Sequence, residues 1–417
     1  MLKSEPAVKV TRMNVLFLSE LYYPYGGGAE FATYLYARML DEAGSNIRVV
    51  TNRFSTDPTV SNKGNSAIYR LNLSLGDRSS KYSLLQRFDV LFSSFMRKMV
   101  KWADVVYIPR LWYSAIPWAK SQGKPVVVHV HDYAPICPTS MMYDASEQTN
   151  CISKRPHCSL GCIYAHERNE SRGFVHSLMS TAINSTVGPH LGKLVGLSDA
   201  VICVSKAQRN TIAERMPALS RKIQVIHTPL PELPYKEIEN EDLGYLGGPS
   251  YLKGFYVLFR ALAKVKNTRT KVHAAGFANP IMKQRIDTAH QPIIMYKKLS
   301  GEPLEEFWRL VSSLIVPSIC AEPLPYVVSE AVQRGRVLIA SRVGGIPEQV
   351  EECKGAFLFE PGDYVHLAEI IDLIRSLNRE TLVDLGFHNR ETFLRRFDNI
   401  SIIEKFIHIC ESLARSD

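Results

Sequence analysis

No apolar run in the 417 residues approaches the roughly 18 that a membrane-spanning helix requires, so a helical integral membrane protein is not expected. The opening segment MLKSEPAVKVTR carries charges of both signs and no apolar stretch. A secretory leader is therefore not expected, and the reading is a cytoplasmic protein. Eight cysteines are too few for a disulfide scaffold of this length. Without a long Lys/Arg block, a zinc-finger spacing or an RNP-type signature, nucleic acid is disfavoured as a partner. No repeat with a period of about 20 to 50 residues is found, which excludes a solenoid.

What is present is ordinary globular composition, with 46% hydrophobic and 22% charged positions. The length suggests two or three domains. A formal charge of +9 points to anionic partners: phosphorylated metabolites, or an acidic lipid surface.

MNVLFLSE (Met13 to Glu20) is a short apolar run of the kind that forms a strand buried on both faces. The loop LYYPYGGG follows, then AEFATYLYARMLDEAG with helical spacing and a terminal glycine. IRVVT, ADVVYI, KPVVVHVHD, DAVICVS and KIQVIH continue the strand series. The alternation argues for a doubly wound parallel sheet. The rhythm breaks at TPLPELPYKEIENEDLG, which is rich in proline and acidic residues. A second series follows: LGYLGG, KVHAAGF, PIIMY, SLIVPS, VLIASR and GAFLFE. The expected fold class is thus α/β with two Rossmann-like domains facing across a cleft. Residues 1–12 form a tail and 13–228 an N-terminal domain with a Cys-rich insertion at 133–170. A linker at 229–243 leads to a C-terminal domain at 244–395, and a helix at 396–417 closes the chain.

Ligands of such sheets bind at the C-terminal strand edges. There, AEPLPYVVSEAVQRG places Glu322 in the loop after SLIVPS and Glu330 inside the next helix. Pro323 and Pro325 hold off helix formation until near Tyr326, so the free N–H groups of that helix start face the cleft as an anion site. Glu330 could accept hydrogen bonds from ribose hydroxyls, or it could be a solvated helix residue. Lys253, followed by Gly254, is placed to neutralise phosphate. Gly344 and Gly345 end a strand and offer further N–H groups at the same edge. Together these features favour a nucleoside-diphosphate ligand.

The run EPLPYVVSEA resembles the E-x7-E motif of retaining glycosyltransferases of the GT-B fold, family 4. The order YPYGGGAE, HVHD, G-x5-KG, E-x7-E, GGIPE is similar to theirs from Met13 to about Phe359. The resemblance implies that Lys253 binds the donor diphosphate, Glu330 the ribose, and that Glu322 and His131 lie beside the transferred sugar. It also implies that Gly27 and Gly28 of the glycine loop lie near the leaving phosphate, and that the terminal helix returns to the N-terminal domain. Two departures stand out. Gly248 occupies the usual place of a phosphate-binding arginine, with Arg342 and Lys297 as substitutes, and Pro325 replaces a glycine. With no second carboxylate evident on the N-terminal wall, a front-face displacement without metal is expected.

The expected function is transfer of a sugar from a nucleoside-diphosphate sugar to an acceptor hydroxyl, with retention, in glycan, polysaccharide or glycolipid assembly. A nucleotide-sugar epimerase or phosphorylase of the same fold, and a non-catalytic nucleotide-sugar-binding protein, are the alternatives. Cys137, Cys151, Cys158 and Cys162 make a four-ligand count for structural zinc, with His157 and His166 as substitutes. Two disulfides or four unrelated thiols are the other readings. Finally, LLQRFDVLFSSFMRKMVKW (Leu84 to Trp102) reads either as a core-facing helix or as a basic face for an anionic membrane. On the second reading Trp112, Tyr113 and Trp118 assist, and the enzyme sits peripherally at the inner face of the membrane.

Overall fold

The computed structural model describes residues 12–54, 57–72, 88–110, 112–151, 160–266, 270–277 and 292–415. In the N-terminal half the strands are β1 (Asn14–Leu18), β2 (Asn46–Asn52), β3 (Val60–Lys63), β4 (Ser66–Leu71), β5 (Val105–Ile108), β6 (Val126–Val130), β7 (Tyr143–Asp144), β8 (Thr149–Asn150), β9 (Ala200–Cys203) and β10 (Ile223–Val225). Eight of them form one sheet in the order β10-β9-β6-β5-β1-β2-β4-β3. Only β3, which pairs with β4, runs antiparallel there. The chain winds outward in both directions from β1, so the crevice between β1 and β5 is the switch point where loops diverge and a ligand can enter.

The C-terminal half adds β11 (Asp242–Tyr245), β12 (Val272–Ala275), β13 (Ile293–Tyr296), β14 (Val311–Val316), β15 (Val337–Ser341) and β16 (Ala356–Phe359). Their order is β13-β12-β11-β14-β15-β16, all parallel, with the switch point between β11 and β14. Central strands such as VLFL, VVYI and VLIA are buried throughout. That is why they read as unbroken apolar runs rather than alternating ones.

Two boundaries differ slightly from expectation. β11 begins at Asp242, inside the expected 229–243 linker, and the last helix begins at Asn399, because Arg396 still belongs to the helix before it. The linker is fixed rather than loose. Arg336, fully buried, donates to the carbonyls of Lys236 (2.7 Å) and Trp308, and Arg390 donates to that of Leu233 (3.0 Å). The helix Asn399–Ala414 crosses back and packs Ile402, Phe406, Ile409 and Cys410 on the core built from Phe17, Tyr36 and Tyr107. Tyr36 and Phe406 have ring centroids 4.9 Å apart. The two domains are therefore tied at one end by this helix and open at the strand edges.

The insertion after β6 is ordered by burial. Tyr133, Ala134, Cys137 and Met142 join the N-terminal core. Its ribbon β7–β8 leads, through 152–159, to a helical hairpin, Leu160–Asn169 and Phe174–Gly196. Trp112, Tyr113 and Trp118, expected at a membrane surface, are buried in the same core at 1%, 1% and 7% exposure. That part of the membrane reading is corrected: their apolar area is already covered. In the helix Ser94–Trp102, Met96, Met99 and Val100 face the core while Arg97 and Lys98 are exposed.

Candidate active site

Both switch points open onto one cleft of about 390 Å³. From the N-terminal side it is lined by Gly28, His131, Val204 and Thr228; from the C-terminal side by Gly247, Lys253, Ser318, Glu322 and Tyr326. Two helix starts converge on it. The helix Gly28–Glu42 has Gly27 as its cap, and Gly28 comes so near Tyr326 that a Cβ there would lie 3.1 Å from the Tyr326 ring. Tyr326 opens the helix Tyr326–Gln333, which Pro325 caps, and its hydroxyl donates to the Pro229 carbonyl (2.8 Å). Each helix start leaves amides without an intrahelical acceptor and carries the positive end of the peptide dipoles.

Lys253 and Glu322 meet at the centre. Lys253 Nζ donates to Glu322 Oε1 (2.6 Å), and Ser318 Oγ donates to the same oxygen (2.9 Å). The Glu322 side chain is buried and that of Lys253 half-exposed. Burial works against the lysine's charge, but the adjacent carboxylate outweighs it and holds Lys253 above its usual range. Gly254 follows at φ +73°, where a Cβ would strike the Pro317 carbonyl, so glycine at this turn is a steric requirement.

Gly344 and Gly345 do a different job from the one expected. Gly345 N–H donates to the Glu322 carbonyl (2.8 Å), and a Cβ on Gly344 would lie 2.0 Å from that same oxygen. The glycine pair thus holds the backbone that carries Glu322 and does not line the cleft. Gly27 is similarly engaged, its N–H donating to Glu30 Oε2 (2.6 Å). Glu330 sits one turn beyond the lining. Its carboxyl is pushed up to about 7 by burial, with Arg334 opposing and Glu305 adding to the shift.

Neither Arg342 nor Lys297, the expected substitutes for the absent arginine, is placed among the residues lining the cleft. Arg342 pairs with Glu360 (3.2 Å), and Lys297 is exposed. Gly248 has φ +60°, and a Cβ would lie 2.9 Å from the Gly276 carbonyl, so this turn excludes a side chain altogether. Among the described residues lining the cleft, Lys253 is the one formal cation.

His131 lines the cleft from the end of β6 and stacks on His129 at 4.2 Å between centroids. Burial lowers its pKa to about 4, so its ring is neutral at physiological pH. Its Nε2 has no hydrogen-bond partner. His129 lies deeper, its Nδ1 2.8 Å from the Tyr107 hydroxyl.

Behind His131 is a cluster that no motif announced. Arg110, after β5, pairs with Glu30 and lies 3.6 Å from Glu20, which follows β1. Burial opposes charge on Arg110, but Glu30, Glu20 and Asp132 keep it protonated. Glu20 is buried with Oε2 unpartnered, and burial lifts its pKa from 4.5 to about 7 despite Arg110. The signal was available only as position: Glu20 and Arg110 both lie just past the strands that flank the switch point. The native state therefore binds more protons than the unfolded chain between those values, and stability falls as pH rises through that window. Glu20→Gln is expected to remove most of this slope, worth about 3 kcal/mol between about pH 5 and about pH 8. Urea titrations at the two pH values check it; because Glu330 contributes a slope of the same sign, the variant should keep that share, and a variant whose stability falls as steeply as the wild type's would contradict the prediction.

Glu348 of GGIPE was also not anticipated. Its Oε2 accepts from the Lys206 amide (2.8 Å), and its Oε1 lies 2.9 Å from His227 Nε2. A C-terminal-domain carboxylate thereby caps an N-terminal-domain helix. Burial pushes this carboxyl up, but His227 and the two helix amides hold it below its usual range.

Of the four expected zinc ligands, Cys137, Cys151 and Cys162 lie among the described residues. Among the described residues no three of His, Cys, Asp or Glu could hold a metal ion, and Cys158 and His157 lie outside those residues. Cys137 Sγ is 3.2 Å from Thr139 Oγ1, Cys151 Sγ accepts from Arg215 (3.5 Å), and Cys162 Sγ donates to the Tyr143 carbonyl (3.7 Å). His166 is buried.

Residues 26–231 match the family described as Glycosyltransferase Family 4, and 240–376 match Glycosyl transferases group 1. The chain belongs to these glycosyltransferases. Its two Rossmann-like domains are the GT-B arrangement. Sucrose-phosphate synthase from Thermosynechococcus elongatus superposes with a TM-score of 0.68 at 17% identity, over 97% of this chain and 100% of that one. Anabaena HepE, solved in complex with UDP and glucose, gives 0.63 at 16% identity, over 96% and 100%. In sequence, a 42.6 kDa protein of the Klebsiella pneumoniae cps region is 25% identical over 81% of this chain and 87% of its own. The Arabidopsis thaliana sulfoquinovosyl transferase is 33% identical over 24% of this chain and 20% of its own length. No helix among the described residues is long and apolar enough to cross a membrane.

Proposed function

We propose that this glycosyltransferase moves a sugar from a nucleoside-diphosphate sugar to an acceptor hydroxyl with retention of configuration, in glycan or glycolipid assembly. The observation that carries the reading is the meeting of Lys253, Glu322 and two helix starts in one cleft between two switch points. Such a site suits a diphosphate: one cation, two sets of amides and two dipoles act on the same anion. The Anabaena neighbour solved with UDP and glucose supports that class of donor.

In this reading the diphosphate displaces Glu322 as the partner of Lys253, and the freed carboxylate turns to the sugar hydroxyls. His131, neutral and with its buried Nε2 unpartnered, meets the same sugar from the opposite wall. Glu330 takes the ribose hydroxyls, and Gly28 lets the leaving phosphate approach the helix start.

Retention is supported by the resemblance of the E-x7-E run to retaining glycosyltransferases, and the carboxylates bear on which retaining route is used. A double displacement needs a carboxylate nucleophile facing the anomeric carbon. Among the described lining residues the carboxylate is Glu322, while Glu30 is held by Arg110 and Gly27, and Glu20 lies behind the wall. Of the two retaining routes, a front-face displacement is the one these residues support. The bond from the anomeric carbon to the phosphate oxygen breaks, and the acceptor oxygen bonds on the same face. The acceptor proton passes to the departing phosphate, so catalysis is positioning and charge stabilisation.

A thermal-shift comparison of UDP, GDP and ADP, with and without chelator, tests the donor site. One nucleotide is expected to raise the midpoint on the order of 5 °C at saturation, chelator or not. No shift with any of them would overturn the reading.

A further inference from the structure

The helix Phe174–Gly196 is built inside out for its first turns. Its buried face is polar: Ser177, Ser180, Thr181 and Asn184. These satisfy one another locally, with Ser180 Oγ donating to Glu167 (2.9 Å) and Asn184 Nδ2 to the Ser180 carbonyl (2.9 Å). Its outer face is apolar: Phe174, Val175, Leu178 and Met179 are 61%, 66%, 48% and 53% exposed. A surface helix ordinarily shows the opposite arrangement, so this stripe is made for an apolar environment outside the chain.

Two further observations say what that environment is. Arg168 and Arg172 flank the stripe at the hairpin tip, are exposed, and have no carboxylate partner among the described residues. In a symmetric contact with a second copy the patch and its two arginines would meet the same patch, setting like charges together. A negatively charged lipid surface satisfies both the stripe and the arginines.

The hairpin also stands beside the cleft. Tyr143 and Cys162 of the insertion pack on Leu252, Ile319 and Cys320, which adjoin Lys253 and Glu322 in sequence. The Tyr143 and Tyr251 hydroxyls are 3.0 Å apart, and the Ala321 amide donates to the Met141 carbonyl (3.2 Å). Glu170, in the hairpin turn, lies near enough to Lys253 to favour its charged form.

We propose that the hairpin tip docks on an anionic membrane, with Phe174, Val175, Leu178 and Met179 in the lipid interface and Arg168 and Arg172 at the phosphate headgroups. Docked in this way, the cleft opens next to the bilayer, and the acceptor is a lipid-linked hydroxyl. This deepens the proposed transferase reading, and it moves the membrane contact from the Arg97–Lys98 face to the hairpin.

The test is co-sedimentation of the full chain with vesicles of phosphatidylcholine alone and of phosphatidylcholine mixed with phosphatidylglycerol. Binding to the anionic vesicles is expected, and it should fall at least about tenfold in Phe174→Ser/Leu178→Ser and in Arg168→Glu/Arg172→Glu. All these positions are exposed, so folding should be preserved, and the nucleotide-induced thermal shift measured on the same samples checks it. Absence of vesicle binding would overturn the proposal. So would binding unchanged by both hairpin variants, binding lost only in Arg97→Glu/Lys98→Glu, or a dimer by light scattering that Phe174→Ser/Leu178→Ser dissociates. A retained nucleotide shift without vesicle binding would sink the docking alone. Vesicle binding without any nucleotide shift would sink the donor reading alone.

Discussion

Glu322→Ala is expected to lower turnover at least about 100-fold while changing donor affinity less than about fivefold. The asymmetry comes from what Glu322 touches. Its side chain holds Lys253, which the donor diphosphate can take over, so its loss need not weaken ground-state binding. Its own role begins when the freed carboxylate meets the sugar. The backbone is held independently, because Gly345 donates to the Glu322 carbonyl and not to the side chain. Steady-state kinetics with donor calorimetry separates the two quantities. An equal loss in both would make Glu322 a binding residue only. Glu322→Gln keeps the shape and should lose nearly as much turnover, because the charge rather than the volume is at issue.

Lys253→Met carries the second large effect. With no other formal cation among the described lining residues, donor affinity is expected to fall on the order of 100-fold. Part of that loss is repulsion, since the variant leaves the buried Glu322 carboxylate facing a diphosphate with nothing between them. Adding Glu322→Gln to Lys253→Met should therefore recover about tenfold in affinity while turnover stays low. Calorimetry of the single and double variants reads the coupling. A Lys253→Met protein that binds donor normally would move the phosphate elsewhere. Strictly additive losses would mean that the two side chains do not share the donor.

Much of the fold was legible because burial leaves marks on sequence. VLFL, VVYI and VLIA, covered on both faces, can hardly be other than apolar, and their alternation with helical segments marks a parallel sheet. β3 and β4 were not legible: VSNK is exposed or half-exposed and SAIYRL half-buried, so neither shows an apolar run. The E-x7-E spacing located Glu322 because it lies within one loop and helix. Arg110 joins Glu20 and Glu30 from much further along the chain, 80 positions beyond Glu30, and no local spacing records that. Gly344 and Gly345 were read as phosphate donors because glycine offers its N–H freely. The structure shows the competing use of glycine, close passage of one backbone by another. Trp112 and Tyr113 illustrate the same limit, since an aromatic ring marks a core and a membrane interface alike. The exposed stripe of Phe174–Gly196 leaves no distinguishing mark in the sequence, because apolar residues at helical spacing look alike whether a core or another surface covers them.

Everything proposed for this cleft rests on transfer with retention from a nucleoside-diphosphate sugar. Its most direct test is proton NMR of the first product formed from the donor whose nucleotide stabilises the protein, followed before any anomeric equilibration. The expected result is a new glycoside with the anomeric configuration of the donor, formed only when an acceptor hydroxyl is supplied. An inverted product, or a rearranged nucleotide sugar appearing with no acceptor present, would contradict it.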